Sequence, residues 1–254
     1  MANQVIVKYI YHSCYQISIG NQVLIFDYFE GDLSDLNPQR KDVTFFATHR
    51  HPDHFDRSIL ELPGSEFYRY VLSDDIPALE KRDNVIYLGE NTADVQSIKP
   101  LFQKNVHYMH PNSFKEFDNL TVRTFGSTDQ GLSYLVEVDG IHIFHAGDLN
   151  LWIWDEDTER ERAQMQKDFL KEIKEISNYD VDIAFFPLDP RLKKRYSDGA
   201  RIFLDEVKPT LFFPMHFRDD MTYNISFLTQ HEKYKQIYRP VIKRNQIFLI
   251  NYEA

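Results

Sequence analysis

The stretch Val43-Thr44-Phe45-Phe46-Ala47-Thr48-His49-Arg50-His51-Pro52-Asp53-His54-Phe55-Asp56 decides how this chain is read. Its first five residues form a continuous apolar run, the pattern of a buried strand. Immediately after it, six positions hold three imidazoles and a carboxylate. Histidine and aspartate are ligands for zinc, and they also suit manganese and iron. On a loop leaving a buried strand, His49 and His51 can face one point while Asp53 and His54 turn to a neighbouring one. Two ions held in this way, roughly 3.5–4 Å apart, share an activated water and clamp a substrate oxygen. A polar loop of solvated histidines is the plainer alternative, and the density of the cluster argues against it.

The segments around the cluster are strand-rich. Residues 5–10, 14–19 and 22–27 read as strands, with Gly20-Asn21 as a hairpin turn between the last two. Downstream, 71–73, 85–88 and 120–124 are short strand candidates. Residues 133–138 and 141–145 form a second hairpin through Asp139-Gly140. The clearest helix covers 158–176: Thr158 and Glu161 have capping-box spacing, and Met165, Phe169, Ile173 and Ile176 make one apolar stripe. A strand at 181–186, a helix at 199–207, a strand at 210–214 and a final strand at 246–251 follow. No internal repeat or linker interrupts the chain, so 1–254 reads as a single domain. Strands first, then helix–strand alternation, predict two packed sheets with helices outside.

Bulk composition bounds the function. The 254 residues are 43% hydrophobic, enough for a substantial core, and the net charge of -10 disfavours an extended nucleic-acid surface. The single cysteine, Cys14, allows no internal disulfide and fits a reducing compartment. Residues 1–11 do not read as a signal peptide, and no run approaches the roughly 20 apolar residues of a membrane span. A soluble, cytoplasmic protein acting on a small molecule is the expectation, with homo-oligomerisation left open.

THRHPDHFD at 48–56, HAGDLN at 145–150 and PMHF at 214–217, in that order, resemble the metallo-β-lactamase superfamily of metal-dependent hydrolases. The likeness covers most of the chain. YHSCYQIS at 11–18 and LIFDYF at 24–29 are similar to the branch of L-ascorbate-6-phosphate lactonases and uncharacterised metal-dependent hydrolases. The resemblance implies an α/β fold, an αββα sandwich of two packed mixed β-sheets with helices on the outer faces. It also implies two divalent ions, zinc or manganese, with iron compatible. Asp148 would bridge them and His216 would complete the second ion's shell; both residues also sit just beyond apolar strands. Asp27 would brace the metal loop, as such carboxylates do for ligand histidines.

One element departs from the pattern. The family supplies a further histidine between the first motif and the GD motif, and here that place reads Thr124-Phe125-Gly126-Ser127-Thr128-Asp129-Gln130-Gly131. Asp129 is the favoured substitute ligand. Ser127 or Thr128 contacting a metal-bound water, or a weak first site, are the other outcomes. Oxygen for nitrogen would shift preference toward harder ions such as manganese. His107 and His110 lie too far upstream for the role.

Around these, Arg191 can offer its planar fork to a phosphate or carboxylate, or be a surface arginine. Asp189 can orient a ligand histidine or start a turn. Trp152 and Trp154 can wall a substrate pocket or simply pack. His12 can line the pocket or, with His145, read as a core or supporting residue, and Cys14 reads as a small buried hydrophobe. The expected activity is metal-assisted hydrolysis of a small ester, lactone or phosphate-containing substrate that can carry negative charge, with Asp53 orienting or deprotonating the attacking water. A phosphodiesterase or nuclease of the same fold, or a metal- or ligand-binding protein without turnover, are the competing readings.

Overall fold

The computed structural model describes residues 3–37, 42–76 and 105–252. In chain order the strands are β1 (Asn3–Tyr11), β2 (Cys14–Ile19), β3 (Gln22–Phe26), β4 (Val43–Ala47), β5 (Arg69–Ser73) and β6 (Val106–Met109). They continue with β7 (Phe114–Phe117), β8 (Leu120–Phe125), β9 (Ser133–Val138), β10 (Ile141–His145), β11 (Ile183–Pro187), β12 (Leu211–Met215) and β13 (Gln246–Tyr252). One sheet has the order β13-β1-β2-β3-β4-β5-β6 and the other β12-β11-β10-β9-β8-β7. Both are mixed: β3, β4, β5 and β6 pair in parallel, as do β10, β11 and β12, while the remaining pairs are antiparallel. The expected α/β architecture of two packed sheets is therefore present.

Alternation along the strands explains how the sheets stack. In β3, Leu24 and Phe26 face the core shared by the two sheets, and Val23 and Ile25 face outward into a second apolar cluster. In β4, Phe46 points to the shared core, and Val43, Phe45 and Ala47 point the other way. A strand covered on both faces must be apolar throughout, which is why 43–47 carries no alternation. The outer cluster packs against Ile59 and Leu60 of a short 3-10 turn. Among the described residues, the regular helices α1 (Glu159–Ile176), α2 (Asp198–Val207) and α3 (Thr222–Gln230) instead pack against the shared core and the second sheet.

Helix α1 starts where the capping box predicts: Glu161 N–H donates to the Thr158 hydroxyl, and Thr158 N–H donates to the Glu161 carboxylate. Phe169, Ile173 and Ile176 are buried, and Glu172 accepts from Gly126 N–H at 3.0 Å, tying the 126–131 loop to the helix. Strands β6 and β7 and helix α3 are additions to the sequence reading. The strand expected at 85–88 lies outside the described residues.

Buried polar contacts join the sheets. The Tyr15 hydroxyl donates to Pro214 O at 2.6 Å, and His145 Nε2 bonds Ser13 O at 2.9 Å. The Tyr134 hydroxyl lies 3.0 Å from both Ala47 O and Val71 O. Cys14 is fully buried in β2. No helix among the described residues is long and apolar enough to cross a membrane.

Candidate metal centre

The chemistry-bearing residues gather where strands of both sheets end at the same edge. Asp27 follows β3, the 48–54 segment follows β4, Asp148 follows β10, Asp189 follows β11 and His216 follows β12. The convergence is tight around Thr48. A Cβ on Gly131 would lie 2.0 Å from Thr48 O, and one on Gly147 would lie 2.7 Å from Thr48 Cβ; both glycines have positive φ. These two positions let the 126–131 and 146–150 loops close onto the histidine segment.

Asp148 is the hub. Its Oδ1 lies 3.1 Å from His54 Nε2 and 3.1 Å from His216 Nε2, and its Oδ2 lies 3.5 Å from His49 Nε2. The far nitrogen of each imidazole is braced. Asp27 Oδ2 holds His54 Nδ1 at 2.7 Å, and Asp189 Oδ2 holds His216 Nδ1 at 2.8 Å. The Thr48 hydroxyl donates to Asp27 Oδ2 and sits 3.1 Å from His49 Nδ1, so it is left to accept from that nitrogen. Each brace occupies Nδ1, so the neutral form of each ring carries its hydrogen there and turns Nε2 toward the centre. His51 Nδ1 meets His49 Nε2 at 2.9 Å.

Three donor groups, each with its atoms mutually within 4.8 Å, occupy this space: His49, His54 and Asp148; His51, Asp129 and Asp148; and His12, Asp53, His54 and His216. His54 Nε2 and Asp148 Oδ1 are buried and have no hydrogen-bond partner among the described residues, despite their proximity. Buried polar atoms left unpaired cost about 1–3 kcal/mol each. A divalent cation satisfies several of them at once, so the donor set fits a metal.

The ionisation pattern follows. Burial works to neutralise His54 and His216, but Asp148 outweighs it, with Asp27 helping at His54 and Asp189 at His216. His54 is held well above its ordinary value and His216 at about 9. Asp148, despite burial, is held well below the usual carboxylate range by His54 and His216. Burial and His54 push His49 down to about 4. Burial and the Asp148 charge raise the Asp129 carboxyl.

The other candidates take definite places. Asp27 is fully buried and accepts from Thr48 N–H at 2.8 Å and from the Thr48 hydroxyl at 2.8 Å, as well as facing His54. Asp189 also grips Arg191, whose Nε and Nη2 donate to its carboxylate at 2.6–3.0 Å. That edge of the Arg191 fork is therefore engaged within the protein. Trp152 is buried, its Nε1 donates to Asp148 O at 2.8 Å, and its ring stacks on Trp154 at 6.0 Å. Trp152 thus fixes the hub loop, and Trp154 is the more exposed of the pair. The Thr128 hydroxyl donates to Asn150 O at 2.5 Å, which commits it to holding two loops together. His145 packs beneath the centre, with Nε2 on Ser13 O.

Two further residues lie at the centre, and neither reads from the sequence as part of the donor cluster. His12, read as a pocket-lining, core or supporting residue, is 2% exposed, with its ring 4.1 Å from that of His216. Arg218 was not singled out; its Nη2 donates to Asp53 Oδ2 at 2.9 Å. Position alone could have found them: His12 directly follows β1 beside the site, and Arg218 lies two residues beyond His216.

Comparison with known proteins places residues 6–216 in a match to the family described as β-lactamase superfamily domain. The chain is 24% identical over 221 residues to a UPF0173 metal-dependent hydrolase of Natranaerobius thermophilus, covering 83% of this chain and 82% of that one. It is 27% identical over 232 residues to a UPF0173 metal-dependent hydrolase of Bacillus licheniformis, covering 83% and 84%. Among solved structures, Igni18, a metallo hydrolase from Ignicoccus hospitalis, superposes with a TM-score of 0.64 at 16% identity, covering 98% of this chain and 100% of that one.

Proposed function

The chain belongs to the metallo-β-lactamase superfamily, and from that premise we propose that it is a metal-dependent hydrolase of a small, anionic ester, lactone or phosphate-containing substrate. The observation that carries this reading is the set of braced imidazoles whose Nε2 atoms surround Asp148. His49, His51 and Asp129 would hold one divalent ion, Asp53, His54 and His216 the other, with Asp148 between them. With Asp129 in place of a nitrogen donor, the first position is oxygen-richer and suits manganese as well as zinc.

Bound ions would supply Lewis-acid activation of water and offset charge developing on the substrate. The chain's own residues do the rest. Asp27 and Asp189 fix ring orientation and tautomer. His12, beside the Asp53 carboxyl, holds it far below the ordinary range, which suits Asp53 to orienting an attacking water rather than storing its proton. Arg191 and Arg218, with side chains 63% and 60% exposed, put positive charge at the rim of an otherwise acidic protein. They favour an anionic substrate group, and Trp154 offers an apolar surface beside Arg191. Metal analysis of fresh protein, then assay of lactones, phosphodiesters and thioesters with added zinc or manganese, tests the proposal. Two ions per chain and turnover of an anionic substrate are expected; one ion or none without turnover would make this a binding protein.

Metal loading should also release protons. In the metal-free protein, His216 at about 9 and His54 above its ordinary value are charged at pH 7.5, and both must be neutral to ligate. The free state binds more protons than the loaded one, so zinc affinity rises with pH, about tenfold per unit per proton, until His216 titrates. The same raised value stabilises the metal-free fold below pH 6.5, a contribution lost as pH climbs through 9. Zinc calorimetry in buffers of different ionisation heat reads the proton count directly. A pH-independent affinity between pH 6.5 and 8.5 would refute it.

A further inference from the structure

By distance alone, His12 is a fourth donor beside Asp53, His54 and His216. Its hydrogen bonds give a different answer. His54 and His216 are braced at Nδ1 by carboxylates, and His49 by a hydroxyl whose hydrogen is already committed to Asp27. At His12 the brace is a donor: the main-chain N–H of Arg218 points at His12 Nδ1 at 3.3 Å. A neutral imidazole has one N–H and one lone pair. With the lone pair of His12 directed at Arg218 N–H, its hydrogen sits on Nε2, which then offers no lone pair to a cation.

The surrounding backbone enforces this arrangement. His12 has φ 55, His216 φ 69 and Arg218 φ 48, all left-handed and all without the freedom of glycine. Such residues persist only where neighbours over-determine them, and they cluster at functional sites. His12 N–H donates to the Tyr9 hydroxyl at 2.9 Å, and His12 O accepts from His216 N–H at 3.0 Å. The pairing of β1 with β2 slips between Tyr9 and Tyr11, which turns His12 toward the centre. Its Nε2 is buried, lies 3.5 Å from Asp53 Oδ2, and has no hydrogen-bond partner among the described residues. It is a buried donor whose nearest acceptor, Asp53 Oδ2, lies at the long distance of 3.5 Å, so it can turn to a substrate oxygen bound beside it.

We propose that His12 is not a metal ligand but a neutral hydrogen-bond donor, whose Nε2–H binds the substrate oxygen that gains negative charge during hydrolysis. The inference rests on the hydrolase reading for the word substrate, while the tautomer and the anion contact stand independently of it. A preorganised donor of this kind is worth about 100-fold or more in turnover.

Nitrogen-15 NMR of the full chain, metal-free and zinc-loaded, should find the hydrogen of His12 on Nε2 in both states; a zinc-bound Nε2 or an Nδ1–H tautomer would overturn the proposal without any variant. In parallel, inorganic phosphate is titrated into zinc-loaded protein. His12→Asn, whose short side chain tolerates positive φ, should keep the full zinc content and lose about tenfold in phosphate affinity. His12→Gln, which restores a donor at nearly the same reach, should recover most of it. Loss of an ion in His12→Asn, unchanged phosphate affinity, or no phosphate binding by the parent protein would each overturn the proposal. If no ester, lactone or phosphate is turned over by the parent while these results hold, the hydrolase reading fails and the donor assignment survives.

Discussion

Replacing Asp148 with alanine is expected to empty both metal positions and abolish turnover, a loss of at least about 1000-fold, while leaving the fold intact. The effect is large because one carboxylate serves three imidazoles, with His54, His216 and His49 all within 3.1–3.5 Å of it. Removing it would take away the carboxylate on which the three imidazoles converge. The fold should survive because His54 and His216 can then shed their protons, so no uncompensated charge is buried. Asp148→Asn keeps the shape and loses the charge, and it should fail nearly as badly. Metal content by mass spectrometry, turnover and circular dichroism read the three parts separately. Undiminished turnover in Asp148→Ala would remove the hub from the mechanism.

Replacing Asp27 with alanine should do the opposite, damaging the fold first and the metal second. Asp27 is fully buried and satisfies Thr48 N–H, the Thr48 hydroxyl and His54 Nδ1. Alanine leaves Thr48 N–H and His54 Nδ1 without this partner at a buried position, and it must adopt φ 48. Breaking a buried, hydrogen-bonded charge pair costs about 3–5 kcal/mol, and the orphaned backbone donor adds to it. For a domain of this size that is a fall in Tm of about 10 °C or more. Zinc affinity should drop a further 10–100-fold, because His54 loses the contact that sets its tautomer. Urea unfolding and zinc titration measure the two effects, and a stability loss under about 1 kcal/mol would contradict the role assigned to Asp27. Asp27→Asn should fall between, since asparagine tolerates the backbone and keeps one acceptor.

The parts of this protein that were legible in sequence are those where one short segment carries the whole signal. The run 43–47 has to be apolar on both faces, and the histidines that follow it are too dense for an ordinary loop. The capping box of α1 is likewise local, and it starts the helix where Thr158 predicts. Strand β7 escaped because Phe114–Phe117 is four residues with charges between two phenylalanines. Helix α3 escaped because its sequence, TYNISFLTQ, has no apolar stripe; it is held partly by Asn224, which bonds Val241 through both main-chain groups. The sequence leaves Arg191 open between an anion-binding fork and a surface arginine, and only the fold reveals that Asp189 takes two of its nitrogens. His12 is the instructive case. A lone histidine after a strand has no sequence context that tells ligand from donor, because the difference lies in which group faces its other nitrogen. That group, Arg218 N–H, comes from the far end of the chain.

The hydroxyls of Tyr15 and Tyr134 and the imidazole of His145 have a mechanical consequence. Two purely apolar sheet faces can slide across one another, because dispersion contacts re-form at each step. Directional bonds from one sheet to main-chain oxygens of the other do not re-form after a slip, so they act as dowels against shear. His49 and His54 ride on the first sheet and Asp148 and His216 on the second, so a shift of even 1 Å between sheets would pull the donor atoms out of reach of a shared ion. The tolerance of the centre is therefore set beneath it, in a core where a few directional polar bonds add to close packing in holding the two sheets in register.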